Sequence, residues 1–267
     1  MSNYRFLVAS DMDYTLLMPG TPVSSENKKA IDAIRRAGGA FTLATGRSFY
    51  LTGSYARDLD VTVPLITSNG AAISDPVKFC DVESVDFPDE ILKQLFDLFV
   101  SEGVDATGYS SDGIYYLPGC SRSKFIDAYN SSVPSDIKAV ILDSADHTFN
   151  KFLLISPSTS VVEKLNAIPG LQIVSSAKNF LDVMMGGTSK GLALQKIASS
   201  LDIPVTFALG DSENDLSLLE CADHAVAMGG SDPELLRIAD YVSSDCESDG
   251  FAQAVNEFIL PTAARLA

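Results

Sequence analysis

The feature that most restricts this fold is a set of short runs that are continuously apolar but for a threonine in three of them. They are Phe6-Leu7-Val8-Ala9, Phe41-Thr42-Leu43-Ala44, Pro64-Leu65-Ile66-Thr67 and Val205-Thr206-Phe207-Ala208-Leu209. A strand with one face in water alternates polar and apolar residues, so an unbroken run predicts a strand covered on both faces, as in a parallel sheet between helices. Helical stretches separate the runs. Ala30, Ile31, Ile34 and Ala37 share one face of a helix that Ser24 or Ser25 can cap; Gly38-Gly39 ends it, and Arg35 and Arg36 suit its last turn. Further on, Leu192, Leu194 and Ile197 space a helix over 191–200, and others are expected over about 214–221, 233–238 and 250–258, with a short strand at Ala225-Val226-Ala227-Met228. The expected fold class is α/β, a Rossmann-like doubly wound parallel sheet.

Between about Ser84 and Met185 the texture changes. A helix (Pro88 to Val100), a hairpin around Asp112-Gly113, a strand Lys151-Phe152-Leu153-Leu154-Ile155 and a helix from Val161 to Ala167 predict an α+β unit inserted into a split α/β domain. The expected division is 1–83, 84–185 and 186–267. The 267 residues are 46% hydrophobic, enough for a sizeable core, and carry a net charge of -16, which repels polyphosphate and argues against a general nucleic-acid binder. No apolar run is long enough for a membrane span, and residues 1–5 lack the apolar stretch of a signal peptide, so no membrane association and a cytoplasmic location are expected. Cys80, Cys120, Cys221 and Cys246 lie far apart and read as reduced thiols, not a zinc site or disulfide framework.

Four polar motifs sit where such a fold places ligands, at the carboxyl ends of strands or the start of a helix. Asp11-Met12-Asp13-Tyr14-Thr15 follows the first apolar run; two carboxylates so close can face one divalent cation, or simply form a polar turn. Thr45-Gly46-Arg47 follows the second run and offers a hydroxyl, a backbone N–H and a guanidinium to a phosphate, or an ordinary strand-to-helix turn. Lys190 opens a helix on the wrong side of its dipole, where anion binding would explain it and a solvated surface lysine is the plainer alternative. In Gly210-Asp211-Ser212-Glu213-Asn214-Asp215, the two Asp residues four apart repel unless a cation or a capping role compensates. Residues 187–267 hold 13 acidic and 4 basic side chains, and hard oxygen ligands without His or Cys suit magnesium. Taken together, the motifs supply a phosphate-plus-magnesium constellation.

With Ser68-Asn69-Gly70-Ala71 added, these motifs make the chain similar to haloacid dehalogenase (HAD) superfamily phosphatases of the Cof-type, type IIB cap group, over essentially its whole length. The resemblance implies a HAD core carrying an inserted cap, and phosphomonoester hydrolysis with Mg²⁺. Asp11 would be the nucleophile that forms an aspartyl-phosphate, and Asp13 the acid and base. Lys190, Thr45 and Asn214 would hold the phosphoryl oxygens, with Gly46, Arg47 and Asn69 facing phosphate or substrate. The metal would be held by the Asp11 carboxylate, the Asp13 backbone carbonyl and Asp211, with Asp215 in or near its shell. The expected partner is a small phosphorylated metabolite, such as a sugar phosphate, bound by a monomer or homodimer. A carboxylate nucleophile needs no His, and His147 and His224 are read as structural or surface groups.

Three positions depart from the group's pattern: Tyr14 stands where Gly is commonest, Asp182 where Glu is common, and Gly229-Gly230 where Gly-Asn is frequent. In the insert, Tyr109, Asp112, Tyr115, Tyr116, Arg122, Lys151 and Asn179 are available to a leaving group, although packing of the hairpin on the insert's own helices is the plainer reading for any one tyrosine. The rival readings are a phosphomutase, a phosphorelay receiver and a non-catalytic phosphometabolite sensor. A receiver needs only one five-stranded domain, and no catalytic residue type is missing that would favour a sensor.

Overall fold

A computed structural model describes residues 4–111, 113–117, 139–141, 147–177 and 179–265. Asp112, Cys120 and Arg122 lie outside the described residues.

The first and last parts of the chain form one parallel sheet. Strand β1 (Phe6–Ser10) pairs with β2 (Gly39–Leu43) on one side and with β12 (Thr206–Gly210) on the other, Val8 lying opposite both Phe41 and Phe207. Strands β13 (His224–Ala227) and β14 (Tyr241–Val242) complete the order β14-β13-β12-β1-β2. Every residue of β1, β2 and β12 is buried, which requires cover on both faces. Helix α1 (Ser25–Arg36), capped by the Ser24 hydroxyl, buries Ala30, Ile31 and Ile34, and packs on the C-terminal helix that begins at Gly250. Helix α2 (Phe49–Asp58) follows the loop after β2.

Two expectations need correction. The run at Pro64–Thr67 yields β3 (Leu65–Thr67), which touches the parallel sheet through a single bridge, Ala44 to Ile66. It pairs instead with β4 (Ala72–Asp75), antiparallel, and β4 pairs with β5 (Cys80–Ser84). The Asp75 carboxylate turns this hairpin by accepting from the Val77 and Lys78 N–H groups, a local turn device that outweighs the weak apolar pattern. The helix from Gly250 does not stop near Phe258. It runs through a π-helical turn (Val255–Ile259) into a helix ending at Arg265.

The insert is built on a six-stranded sheet, order β10-β11-β9-β6-β7-β8, antiparallel except for the β7–β8 pair. Its strands are β6 (Ala106–Tyr109), β7 (Ile114–Tyr116), β8 (Ala139–Ile141), β9 (Lys151–Ile155), β10 (Leu171–Ala177) and β11 (Phe180–Met185). Helices α3 (Asp89–Glu102) and α4 (Thr159–Asn166) contribute Leu95, Phe99, Val161 and Leu165 to a second core around Phe149 and Phe152. The sequence therefore folds as read, a parallel α/β core with an antiparallel insert. Tyr109, Tyr115 and Tyr116 are all buried, and Tyr109 and Tyr116 pack with Tyr50 and Leu51 of α2, joining insert to core. Beyond the insert, α5 (Lys190–Ser200) packs on α6 (Leu216–Cys221). Among the described residues no helix is long and apolar enough to cross a membrane, and Cys80, Cys221 and Cys246 are free thiols.

Candidate active site

Four chain segments converge beyond the carboxyl ends of β1 and β12. Asp11 follows β1 directly, its N–H donating to the Leu209 carbonyl at 3.0 Å, so the sheet ladder fixes where it points. Lys190, the first residue of α5, is completely buried; its Nζ donates to Asp11 Oδ1 at 2.7 Å and to Asp215 Oδ1 at 2.6 Å. An ammonium at a helix start opposes the dipole, and these two carboxylates supply the compensating attraction. Asp211, one residue beyond β12, accepts from the Thr15 hydroxyl at 3.0 Å. Carboxylate oxygens of Asp11, Asp211 and Asp215 lie within 4.8 Å of one another. Asp215 also accepts from the Asp211 and Ser212 N–H groups at 3.1 and 3.3 Å, so the capping role and the ion-pairing role fall to one residue. Gly210 permits that fold-back, because a Cβ there would stand 2.4 Å from the Asp215 Cβ.

Charge in this cluster is unbalanced. Burial works against the Lys190 ammonium, but Asp11 and Asp215 outweigh it and hold its pKa above the ordinary lysine value. One ammonium cannot neutralise three carboxylates. Burial first, and then mutual repulsion, raises Asp11 well above the ordinary aspartate range despite Lys190, and burial with repulsion from Asp215 pushes Asp211 up to about 7. A divalent cation would relieve that surplus. The donor set is hard oxygen with no imidazole or thiolate, which fits Mg²⁺ better than zinc.

The Asp13 carboxylate stands apart from this cluster. Arg47 grips it through both oxygens, Nε to Oδ2 at 2.8 Å and Nη2 to Oδ1 at 2.5 Å. The guanidinium also lies 5.3 Å from the centroid of the Tyr55 ring. Burial lowers the affinity of Arg47 for its proton, but the Asp13 hydrogen bonds prevail and hold its pKa above the ordinary value. Thr45 is buried; its Oγ1 accepts from the Arg47 N–H at 3.1 Å, and its N–H is held by the Ile66 carbonyl at 2.8 Å. Asn69 has a left-handed backbone (φ 56), a conformation Asn tolerates better than most residues. Its Oδ1 accepts from Asn214 Nδ2 at 3.2 Å and its Nδ2 donates to Asp182 Oδ2 at 2.7 Å.

The structure thus brings Asp11, Lys190, Asp211 and Asp215 into one cluster, Asp13 and Arg47 into a pair beside it, and Thr45, Gly46, Asn69 and Asn214 into a polar loop layer. Three further residues take part in ways their sequence context did not specify. Thr15 belongs to the first acidic motif, a usable signal. Asp182 and Lys151 form a buried pair across neighbouring strands of the insert, which only tertiary pairing reveals. Tyr14 is held at φ 63 by a tight turn, its N–H on the Leu17 carbonyl, which gives a physical reason for glycine to be common there. Its ring is 50% exposed and lines a cavity of about 340 Å³ with Met18, Asp211 and Cys246. His224 stacks on Phe207 and His147 packs on Tyr115, both among aromatic rings.

Comparison with known proteins identifies the family. The sequence profile of the haloacid dehalogenase-like hydrolases matches residues 8–255. The phosphatase YwpJ of Bacillus subtilis is 28% identical, the match covering 95% of this chain and 99% of that protein. A 5-amino-6-(5-phospho-D-ribitylamino)uracil phosphatase of the same organism, YcsE, is also 28% identical, over 95% of this chain and 96% of its own. The fold superposes on that of the HAD subclass IIB sugar phosphatase BT4131 with a TM-score of 0.81, covering 95% and 99% of the two chains at 24% identity.

Proposed function

The chain belongs to the haloacid dehalogenase-like hydrolase family and is a phosphatase of it, and on that premise we propose a Mg²⁺-dependent phosphomonoesterase. Its substrates are small phosphorylated metabolites of the sugar-phosphate kind, hydrolysed through an aspartyl-phosphate. The observation that carries the reading is the buried Lys190 ammonium bonded to Asp11 and Asp215, with Asp211 within one ion's reach.

In the first step a carboxylate oxygen of Asp11 attacks phosphorus in line with the bond to the leaving oxygen. That bond breaks, and Asp13 gives its proton to the departing alkoxide. In the second, Asp13 takes a proton from water as the water oxygen attacks phosphorus; the Asp11–phosphorus bond breaks, orthophosphate leaves, and Asp11 is restored. Arg47 holds both oxygens of Asp13 and fixes where that carboxyl lies; the pair must open for Asp13 to carry the proton it gives to the leaving group. Lys190 and the Thr45 hydroxyl hold the equatorial phosphoryl oxygens, supplying positioning and charge stabilisation, which phosphoryl transfer chiefly requires. Mg²⁺, held by Asp11, Asp211 and Asp215 with the Asp13 carbonyl, would neutralise charge on the transferring group. The insert lies over the loop after β2 and would close around the leaving group.

Turnover of p-nitrophenyl phosphate is the test. It should require Mg²⁺, stop with EDTA, and fall by about four orders of magnitude or more in Asp11→Asn. Equal rates in Asp11→Asn and wild type would refute the nucleophile.

A further inference from the structure

Lys151 opens β9 inside the insert, yet its ammonium reaches into the loop after β2. It is 3% exposed. Its Nζ donates to the Gly46 carbonyl at 2.5 Å, pairs with Asp182 Oδ1 at 3.0 Å, and lies 4.5 Å from the centroid of the Tyr109 ring. Tyr109 and Lys151 are cross-strand partners, and Asp182 sits on β11 opposite Leu153, so the group is anchored on three paired strands at the centre of the sheet. Asp182 by itself satisfies the charge of a buried lysine. The bond to Gly46 goes further, because it ties the insert to the backbone of the Thr45-Gly46-Arg47 loop.

The consequence runs through one planar peptide. The Gly46 carbonyl and the Arg47 N–H belong to the same unit and point in opposite directions. With the carbonyl held by Lys151, the Arg47 N–H is aimed at Thr45 Oγ1, 3.1 Å away. The hydroxyl oxygen then accepts, and its own hydrogen is left to donate to a phosphoryl oxygen. Asp182 braces the same loop from the other side. Its Oδ2 orients the Asn69 amide at 2.7 Å, and the Asn69 N–H in turn holds the Thr45 carbonyl at 3.0 Å. The fit is close, since a Cβ on Gly46 would stand 2.9 Å from Asn69 Oδ1.

Resting on the phosphatase reading above, we propose that Lys151, with Asp182, is a positioning residue: acting through the Gly46–Arg47 peptide, it sets the Thr45 hydroxyl that receives the phosphoryl group. The insert thereby aligns the core's phosphate loop as well as covering it.

The test compares kcat, KM and melting temperature, with p-nitrophenyl phosphate and saturating Mg²⁺, for wild type, Lys151→Met, Lys151→Arg and the double variant Lys151→Met/Asp182→Asn. Lys151→Met should lose about tenfold to a hundredfold in kcat, with KM changed far less. Lys151→Arg keeps a donor and a positive charge, and should recover part of that loss. The double variant removes the uncompensated carboxylate, so it should melt close to wild type while keeping the low kcat; it carries the test even where Lys151→Met does not fold. Recovery of wild-type kcat in the double variant would show that the pair only braces the fold, and would overturn the proposal. A raised KM at wild-type kcat in Lys151→Met would overturn it too, by making Lys151 a ground-state binding group. Wild type without Mg²⁺-dependent turnover would overturn the proposed function and the positioning role together, whereas an active wild type matched by Lys151→Met would overturn the positioning role alone.

Discussion

Among the described residues two lysines are buried, Lys190 in the core and Lys151 in the insert, and they differ in the charge around them. Lys190 is one ammonium among three carboxylates, two of which it touches; Lys151 faces one carboxylate, a main-chain carbonyl and an aromatic ring. A balanced buried pair is complete in itself and holds backbone in place. A buried surplus of negative charge is not complete, and its cost persists until a cation arrives. Charge imbalance under burial separates a group that waits for substrate and metal from one that holds the frame.

Of the two lysines, Lys190 should matter more for turnover. Lys190→Met should cut Mg²⁺-dependent turnover by about 10²- to 10³-fold, because it removes charge stabilisation from the transferring group. The loss should exceed that of Lys151→Met, read by the same steady-state assay. The reverse order would break the comparison.

A smaller effect sharpens it in solution. Asp211 is pushed up to about 7 from an unfolded value near 3.8, and Asp11 is raised as well. A carboxylate whose pKa rises on folding favours the folded state at low pH, and that contribution is lost as pH climbs through the folded pKa. The metal-free chain should therefore melt several degrees lower at pH 8 than at pH 5. Mg²⁺ at pH 8 should restore most of the difference, since it binds the folded cluster. A metal-free melting temperature that rises over this interval would mean the surplus charge is not there.

The smallest effect concerns the rim. Tyr14→Gly removes a half-exposed ring from a left-handed backbone and should stabilise the fold by at most about 1 kcal/mol, seen as a slight rise in melting temperature. A loss of stability would show that the ring earns contacts the backbone geometry does not suggest.

How far the sequence reveals this molecule follows the same division. The parallel core was legible because a strand buried on both faces must be apolar throughout, and because each acidic or basic motif follows such a strand or opens a helix. Asp11, Lys190, Asp211 and Asp215 meet in space as their motifs imply. The hairpin of β4 and β5 was not legible: its strands are short and partly exposed, and an Asp75 side-chain turn specifies it. The Lys151–Asp182 pair was not legible either. A lysine at the head of an apolar strand looks like a polar strand end, and only the pairing of β9 with β11 and the seating of the insert on the core bury it. Arg47 shows an intermediate case, because the residue was identifiable but its grip on Asp13 is a tertiary fact.

A crystal structure of the chain with Mg²⁺ and beryllofluoride, a mimic of the phosphoryl group, measures the chemistry of Asp11 most directly. Beryllium should be bonded to an Asp11 carboxylate oxygen, with Mg²⁺ within reach of Asp11 and Asp211 and the Lys190 ammonium on a fluorine. Beryllofluoride seated on another residue, or a metal bound away from Asp11 and Asp211, would contradict that arrangement.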